Sequence, residues 1–209
     1  MIQDSDAVIE YWLDMAEDMP AMAAGRSRFW YGSDEAVDQH MRRLFGETLD
    51  RAESGMLDNW ILAPRSALAL VLLLDQFSRN LYRGTPDAFR NDPRAREIAR
   101  ELVRSGDHLG LSFLGRAFLY HPFEHSEAIE DQNLSVELFT RLLAESTEDW
   151  QGQMKSFLDY AVQHRQIIEQ FGRFPHRNAV LGRPNTPAEA IFLEQDSRRW
   201  GQPPESENP

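Results

Sequence analysis

Cysteine is absent from the 209-residue chain, which excludes disulfides, thiolate zinc sites, iron–sulfur clusters and cysteine nucleophiles. Lysine is nearly absent as well. Lys155 stands alone among 22 basic residues, so Schiff-base chemistry has a single candidate, in an otherwise ordinary helical stretch. Positive charge is in deficit, 22 Lys and Arg against 34 Asp and Glu for a net −12, and that balance opposes general binding to nucleic acid or anionic membrane surfaces. The longest apolar run, Ala67 to Leu74, is eight residues and ends at Asp75, well short of the roughly 20 that a membrane-crossing helix needs. The first 20 residues carry Asp4, Asp6, Glu10, Asp14, Glu17 and Asp18 with no Lys or Arg, the opposite of a signal or transit peptide, so a cytoplasmic location is expected. The phosphate-loop, dinucleotide and serine-hydrolase patterns G-x-x-x-x-G-K-[ST], G-x-G-x-x-G and G-x-S-x-G do not occur. Neither a cofactor nor a metal ion is expected.

What is present is helical periodicity. With 42% hydrophobic and 27% charged residues the composition is that of an ordinary soluble globular protein. Val8, Ile9, Trp12, Leu13 and Ala16 share one helical face, which Pro20 is expected to end. Ser33-Asp34 offers an N-cap for a helix carrying Val37, Met41, Leu44 and Phe45, and the aromatic stretch Arg26 to Gly32 between the two reads as a loop. Pro64 opens a helix that is apolar on every side in its first half, so it should be central and buried. Asp92-Pro93 is expected to cap a helix ending at Gly106. A short helix around Ser112 to Tyr120 should break at His121-Pro122, with Pro122 starting the next. Another helix runs from about Glu148 to Phe171, and Thr186-Pro187-Ala188-Glu189 is a capping box. No segment has strand alternation. The expectation is an all-α protein of about eight helices, readable as four antiparallel pairs. It forms one domain over residues 1–200, with 201–209 a disordered tail.

The polar residues gather in places where apolar ones would be cheaper. Asp75, Gln76, Arg79, Asn80 and Arg83 fall at helical spacing on one face, at the end of the most buried helix. Groups there are either a structural salt-bridge network or a ligand-facing wall, since burial is costly unless every partner is present. His164 is pointed inward by Phe157, Ala161 and Ile168, and His125 falls near the Ile129 and Gln132 face. His121 to His125 reads HPFEH and matches the pattern H-x-x-E-H, but Pro122 should place His121 before the helix start, which argues against an inverted zincin site. Charge is segregated too. Glu124 to Asp149 holds eight carboxylates against one Arg, whereas His164 to Arg183 holds four Arg against Glu169. The two segments either pair with each other or leave Arg173, His176 and Arg177 as an anion-binding rim.

The strings LLLDQFSRNLYRG (72–84), HSEAIEDQNLSVELF (125–139), HRQIIEQFGRFPHRNAVLGRPNTPAEAIFL (164–193) and, more loosely, FWYGSDEAVDQHMRRLFGE (29–47) resemble a bacterial family known as a domain of unknown function. The resemblance covers about Val8 to Leu193. It implies a TPR-like fold of paired antiparallel helices, an α-α superhelix, and no established activity. It carries the family's polar positions onto Asp75, Gln76, Arg79 and Asn80, onto His125, Ser126, Glu127, Asp131 and Gln132, and onto His164, Gly172 to Pro175, His176, Arg177 and Asn178. Ser78 stands where the family commonly has proline, which lets the buried helix continue a turn. His121 stands where it commonly has an apolar residue.

Three readings follow. A helical scaffold would bind a carboxylate-bearing peptide or small anion through Asp75, Arg79, Asn80, His125, Glu127, His164, Arg173, His176 and Arg177. A hydrolase- or lyase-type enzyme would use a histidine as general acid or base, with arginines stabilising developing charge. Or the same residues form a buried polar network that fixes helix order, and function lies in a protein-partner surface.

Overall fold

The computed structural model describes residues 2–195, so the expected tail at 201–209 lies outside the described residues. Asp4 caps α1 (Ser5–Trp12), its carboxylate accepting from the Ala7 amide at 2.9 Å. Pro20 sits at the start of α2 (Pro20–Tyr31), and Asp34 caps α3 (Glu35–Glu53) through the amides of Ala36 and Val37. Pro64 begins α4 (Pro64–Leu72), where its missing N–H has no intrahelical partner to lose. This helix runs on through a π turn, Leu73–Phe77, into α5 (Ser78–Leu81). Next come α6 (Asp92–Ser105), ended by Gly106 at φ 83°, and α7 (Phe113–Glu124), capped by Ser112. Then follow α8 (Ile129–Glu145) and α9 (Glu148–Phe171), ended by Gly172 at φ 69°. Both glycines take the left-handed conformation that a Cβ would oppose. The last helix, α10 (Pro187–Gln195), starts with the expected capping box. The Glu189 amide donates to the Thr186 hydroxyl at 3.3 Å, and the Thr186 amide to the Glu189 carboxylate at 2.6 Å.

The described residues form helices and turns without a strand, as the periodicity requires. The α4 helix is the axis of the core. Every side chain from Ala67 to Leu74 is completely buried, and α1, α6 and α7 pack around it while α3 closes on the π turn and α5. The helices α7, α8 and α9 are successive neighbours joined by short connections, the arrangement of antiparallel packing.

Four local expectations are corrected. Pro20 starts a helix rather than ending one, and the aromatic stretch expected as a loop is the last part of α2. The reason is tertiary: Trp30 is buried, its indole N–H donating to the Trp12 carbonyl at 2.8 Å and its ring meeting Phe118 edge-on. Pro122 does not break α7. It lies in the final turn, and the chain breaks instead at His125, which ends the helix before α8. Asp92 does not cap α6, because Asn91 holds that position and the Asp92 carboxylate is taken by Arg79.

Because α4 has no solvent face from Ala67 onward, truncation there leaves a cavity that its neighbours cannot fill. Leu70→Ala is expected to lower stability by about 2–5 kcal/mol. Leu62→Ala, at a residue 88% exposed, should change it by less than about 0.5 kcal/mol. Chemical denaturation of both variants checks this, and equal losses would contradict the central placement of α4.

Candidate functional site

The π turn places Asp75 and Gln76 at the point where α4 stops being apolar. Asp75 is fully buried; its carboxylate pairs with Arg79 Nη1 at 2.9 Å and accepts from His125 Nδ1 at 2.8 Å and from the Gln76 amide, while Arg79 Nη1 donates to the Asp75 backbone carbonyl at 2.8 Å. Burial alone would raise this carboxyl. Arg79 and His125 reverse that effect and hold it well below the usual carboxylate range, so it is ionised. Arg79 then reaches onward, donating to both oxygens of Asp92 at 2.9 and 3.0 Å. Further along the same face, Asn80 and Arg83 are held by Asp38 of α3, at 2.7 Å and 2.6 Å.

Above this floor lies a cavity of about 340 Å³, within the range of small-molecule sites. One wall is the end of α7, with His121, Glu124 and His125. A second is α9, with Phe157, Tyr160 and His164. A third is Trp30 and Tyr31 at the end of α2, and a fourth is Phe89 with the turn Pro175–Arg177. His121 donates from Nδ1 to the Ala117 carbonyl at 2.7 Å and accepts at Nε2 from the Tyr31 hydroxyl at 3.2 Å, which fixes a neutral tautomer. Arg177 is buried with its guanidinium stacked between the rings of Phe174 and Phe89, 4.5 and 4.7 Å from their centroids. It donates to the His125 carbonyl at 3.0 Å, stands 3.8 Å from Asp92, and has an Nε–H that is buried without an acceptor among the described residues. Burial lowers its pKa to about 10, so it remains a cation at neutral pH.

The titrations are pushed apart. Burial lowers His125 to about 4, with Arg79 acting in the same direction and Asp75 opposing, so the His125–Asp75 contact joins a neutral imidazole to a carboxylate. Burial also raises Glu124 to about 8, helped by the charge of Asp75. Glu124 Oε1 lies 3.0 Å from His164 Nδ1, but burial drives His164 well down, so at neutral pH this is a contact of uncharged groups rather than an ion pair.

Of the nine residues singled out in the sequence, Arg79, Asn80, His125, His164, His176 and Arg177 line the cavity, and Asp75 lies directly beneath it. Glu127 and Arg173 lie outside the lining. Glu127 accepts from the Phe174 amide at 2.8 Å and from Arg183 at 2.7 Å, while Arg173 is held by Glu189 at 2.6 and 2.8 Å. Both tie down the segment that carries His176 and Arg177, so the expected rim of Arg173, His176 and Arg177 reduces to the last two. Trp30, Tyr31, Phe89, His121, Glu124, Phe157 and Tyr160 enter the lining without having been singled out. Glu124 had a signal: it is a carboxylate at the end of the otherwise apolar run Ala117 to Phe123, broken only by His121. The helix does continue between His121 and His125, whose ring centroids are 5.7 Å apart. Among the described residues, however, no three His, Asp or Glu side chains converge as metal ligands.

Fold and site together define an all-α protein with a buried Asp–His–Arg constellation under a ligand-sized cavity. The chain belongs to a family of bacterial proteins of unknown function, DUF924, which it matches over residues 8–197. It is similar to a solved structure of a protein of unknown function from Agrobacterium tumefaciens, with 36% identity, 92% of this chain and 97% of that one covered, and a TM-score of 0.77. No curated protein matches it.

The raised Glu124 pKa has a measurable consequence. The folded state holds this proton where the unfolded chain, with an ordinary value of 4.5, has released it, so the associated stability is complete below about 4.5 and lost as pH rises through about 8. His125 acts in the opposite sense, complete above 6.5 and lost as pH falls through about 4. Glu124→Gln mimics the protonated acid and removes only the first dependence. Across that window wild type should lose stability relative to the variant by roughly 1 kcal/mol per pH unit. Urea midpoints of both proteins at pH 5, 6.5 and 8 check this, and a constant difference would contradict a buried, protonated Glu124.

Proposed function

We propose that the cavity binds a small organic anion, with a carboxylate as the group recognised and Arg177 as its principal partner. The observation that carries this reading is the Arg177 guanidinium. It is a buried cation in the cavity wall, clamped between two rings, which among the described residues makes a single hydrogen bond and keeps an N–H without an acceptor. A buried donor in that state is costly until an acceptor arrives, and a carboxylate matches the planar fork. Arg79 supplies a second positive charge on the same surface but is committed to Asp75 and Asp92. The aromatic side chains Trp30, Tyr31, Phe157 and Tyr160 on the facing walls favour an apolar or ring-bearing body behind the charged group. The cavity volume suits a small molecule better than a peptide. The scaffold is read as TPR-like, supported by the successive antiparallel packing of α7, α8 and α9.

Thermal denaturation with benzoate, phenylacetate, succinate, inorganic phosphate and a short peptide with a free C-terminus tests this. An aromatic carboxylate at about 100 times its Kd should stabilise the wild type by about 2.7 kcal/mol. Arg177→Met keeps the packing between Phe89 and Phe174 while removing the fork, and should fold yet show no such shift. If no probe shifts the wild type and Arg177→Met alone loses several degrees, the polar residues are architecture and the reading fails.

A further inference from the structure

The cavity contains a matched base and acid as well as an anion clamp. Asp75 Oδ1 takes the Nδ1–H of His125 at 2.8 Å, which fixes the tautomer so that Nε2 carries the lone pair. His125 lines the cavity, and its ring makes no other hydrogen bond among the described residues. The residue before it, the last of α7, is Glu124, only 4% exposed and lining the same cavity, with Oε2 buried and without a hydrogen-bond partner among the described residues. Among the described residues the side chains that line the cavity include no Ser, Thr, Cys or Lys but four histidines with Glu124, groups suited to proton transfer.

From this juxtaposition we infer that the protein is an acid–base enzyme acting on a small keto acid: His125 Nε2 removes a proton from the carbon next to the carbonyl while Glu124 protonates the carbonyl oxygen. The inference rests on the anion-binding reading, since Arg177 holds the substrate carboxylate. The C–H electron pair becomes the new carbon–carbon π bond, and the carbonyl π pair forms the O–H bond. His125 becomes an imidazolium against the Asp75 carboxylate and Glu124 becomes a carboxylate; on ketonisation the imidazolium gives its proton back to the carbon and the enol O–H gives its proton back to Glu124. Nothing is oxidised or reduced. Asp75 acts as a positioning residue that stays ionised throughout, the part a buried aspartate plays behind a catalytic imidazole.

The two pKa values fit this assignment, His125 lowered to about 4 and Glu124 raised to about 8, so free base and protonated acid coexist between them. The charged and titratable groups facing the pair are Asp75 and Arg79 from the central helix and His121 from α7. His164 and Tyr160 face it from α9, Tyr31 from α2, and His176 and Arg177 from the closing turn.

The experiment is proton NMR of pyruvate, 2-oxobutanoate and phenylpyruvate in D₂O with the full chain, recording saturation transfer for binding and loss of the C3 proton signal for exchange. Wild type should accelerate exchange over buffer with at least one keto acid, with a bell-shaped pH dependence whose limbs lie near 4 and 8. His125→Asn keeps an N–H for Asp75 but no basic nitrogen, and should retain saturation transfer while losing exchange. Glu124→Gln should slow exchange by about 100-fold or more. Saturation transfer without exchange in the wild type overturns the acid–base assignment and leaves the anion site standing. Exchange that survives in His125→Asn overturns the role of His125. No saturation transfer from any keto acid, with no thermal shift from the carboxylates, overturns both readings together.

Discussion

A carboxylate with no exposed surface, ionised in the middle of the core, sets the terms for everything around it. Asp75 is tolerated there because Arg79 pairs with it and His125 and Gln76 donate to it. Each donor carries the constraint outward. Arg79 must stay charged, so its other side recruits Asp92. His125 must present Nδ1–H, so Nε2 is left as a base. Glu124, buried and within range of the Asp75 charge, with Arg79 opposing only in part, does not ionise at its ordinary pH. The protonation states in the cavity are thus set by burial first, with the Asp75 charge reinforcing it at Glu124 and opposing it at His125.

The line Asp75, Arg79, Asp92, Arg177 alternates in sign and crosses from the central helix to the segment after α9. Phe89 faces both arginines, at 5.7 Å from Arg79 and 4.7 Å from Arg177. Arg79 is saturated by its partners whereas Arg177 is not, although both are buried cations in one wall. A cation that the protein fully satisfies is architecture. One that the protein packs on both faces and leaves short of acceptors is the cation on which the proposed anion site rests.

Helix content, the central position of α4 and the polar face at its end were legible in the sequence, because each is a local pattern with a helical period. Asp75 with Arg79 is such a pattern, four residues apart on one face. The partners that give that pair its meaning are not local. Asp92 lies 13 residues away and His125 lies 50, and only tertiary packing chooses them. The same limit explains Glu127 and Arg173, whose charge is visible in the sequence while the residues that occupy them, Arg183 and Glu189, are not. Trp30 and Tyr31 were hidden for a different reason. Adjacent aromatics do not trace a single stripe, and their helix has apolar side chains around much of its circumference, so period alone argued for a loop.

The π turn at Leu73–Phe77 gives the central helix one residue more in that turn than an α-helix would have, and Ser78 reaches back five residues to Leu73 with its amide. Each residue advances an α-helix by about 100°, so the surplus residue rotates all that follows relative to all that precedes. The apolar half can be meshed with its neighbours on every side, and the polar half aimed independently at the cavity. In evolutionary terms the turn works as a phase adjuster: substitutions that improve packing upstream need not disturb the direction of Arg79 or Asn80 downstream, and a single-residue deletion inside it would turn the polar floor of the cavity away from its walls while leaving the sequence of both halves intact.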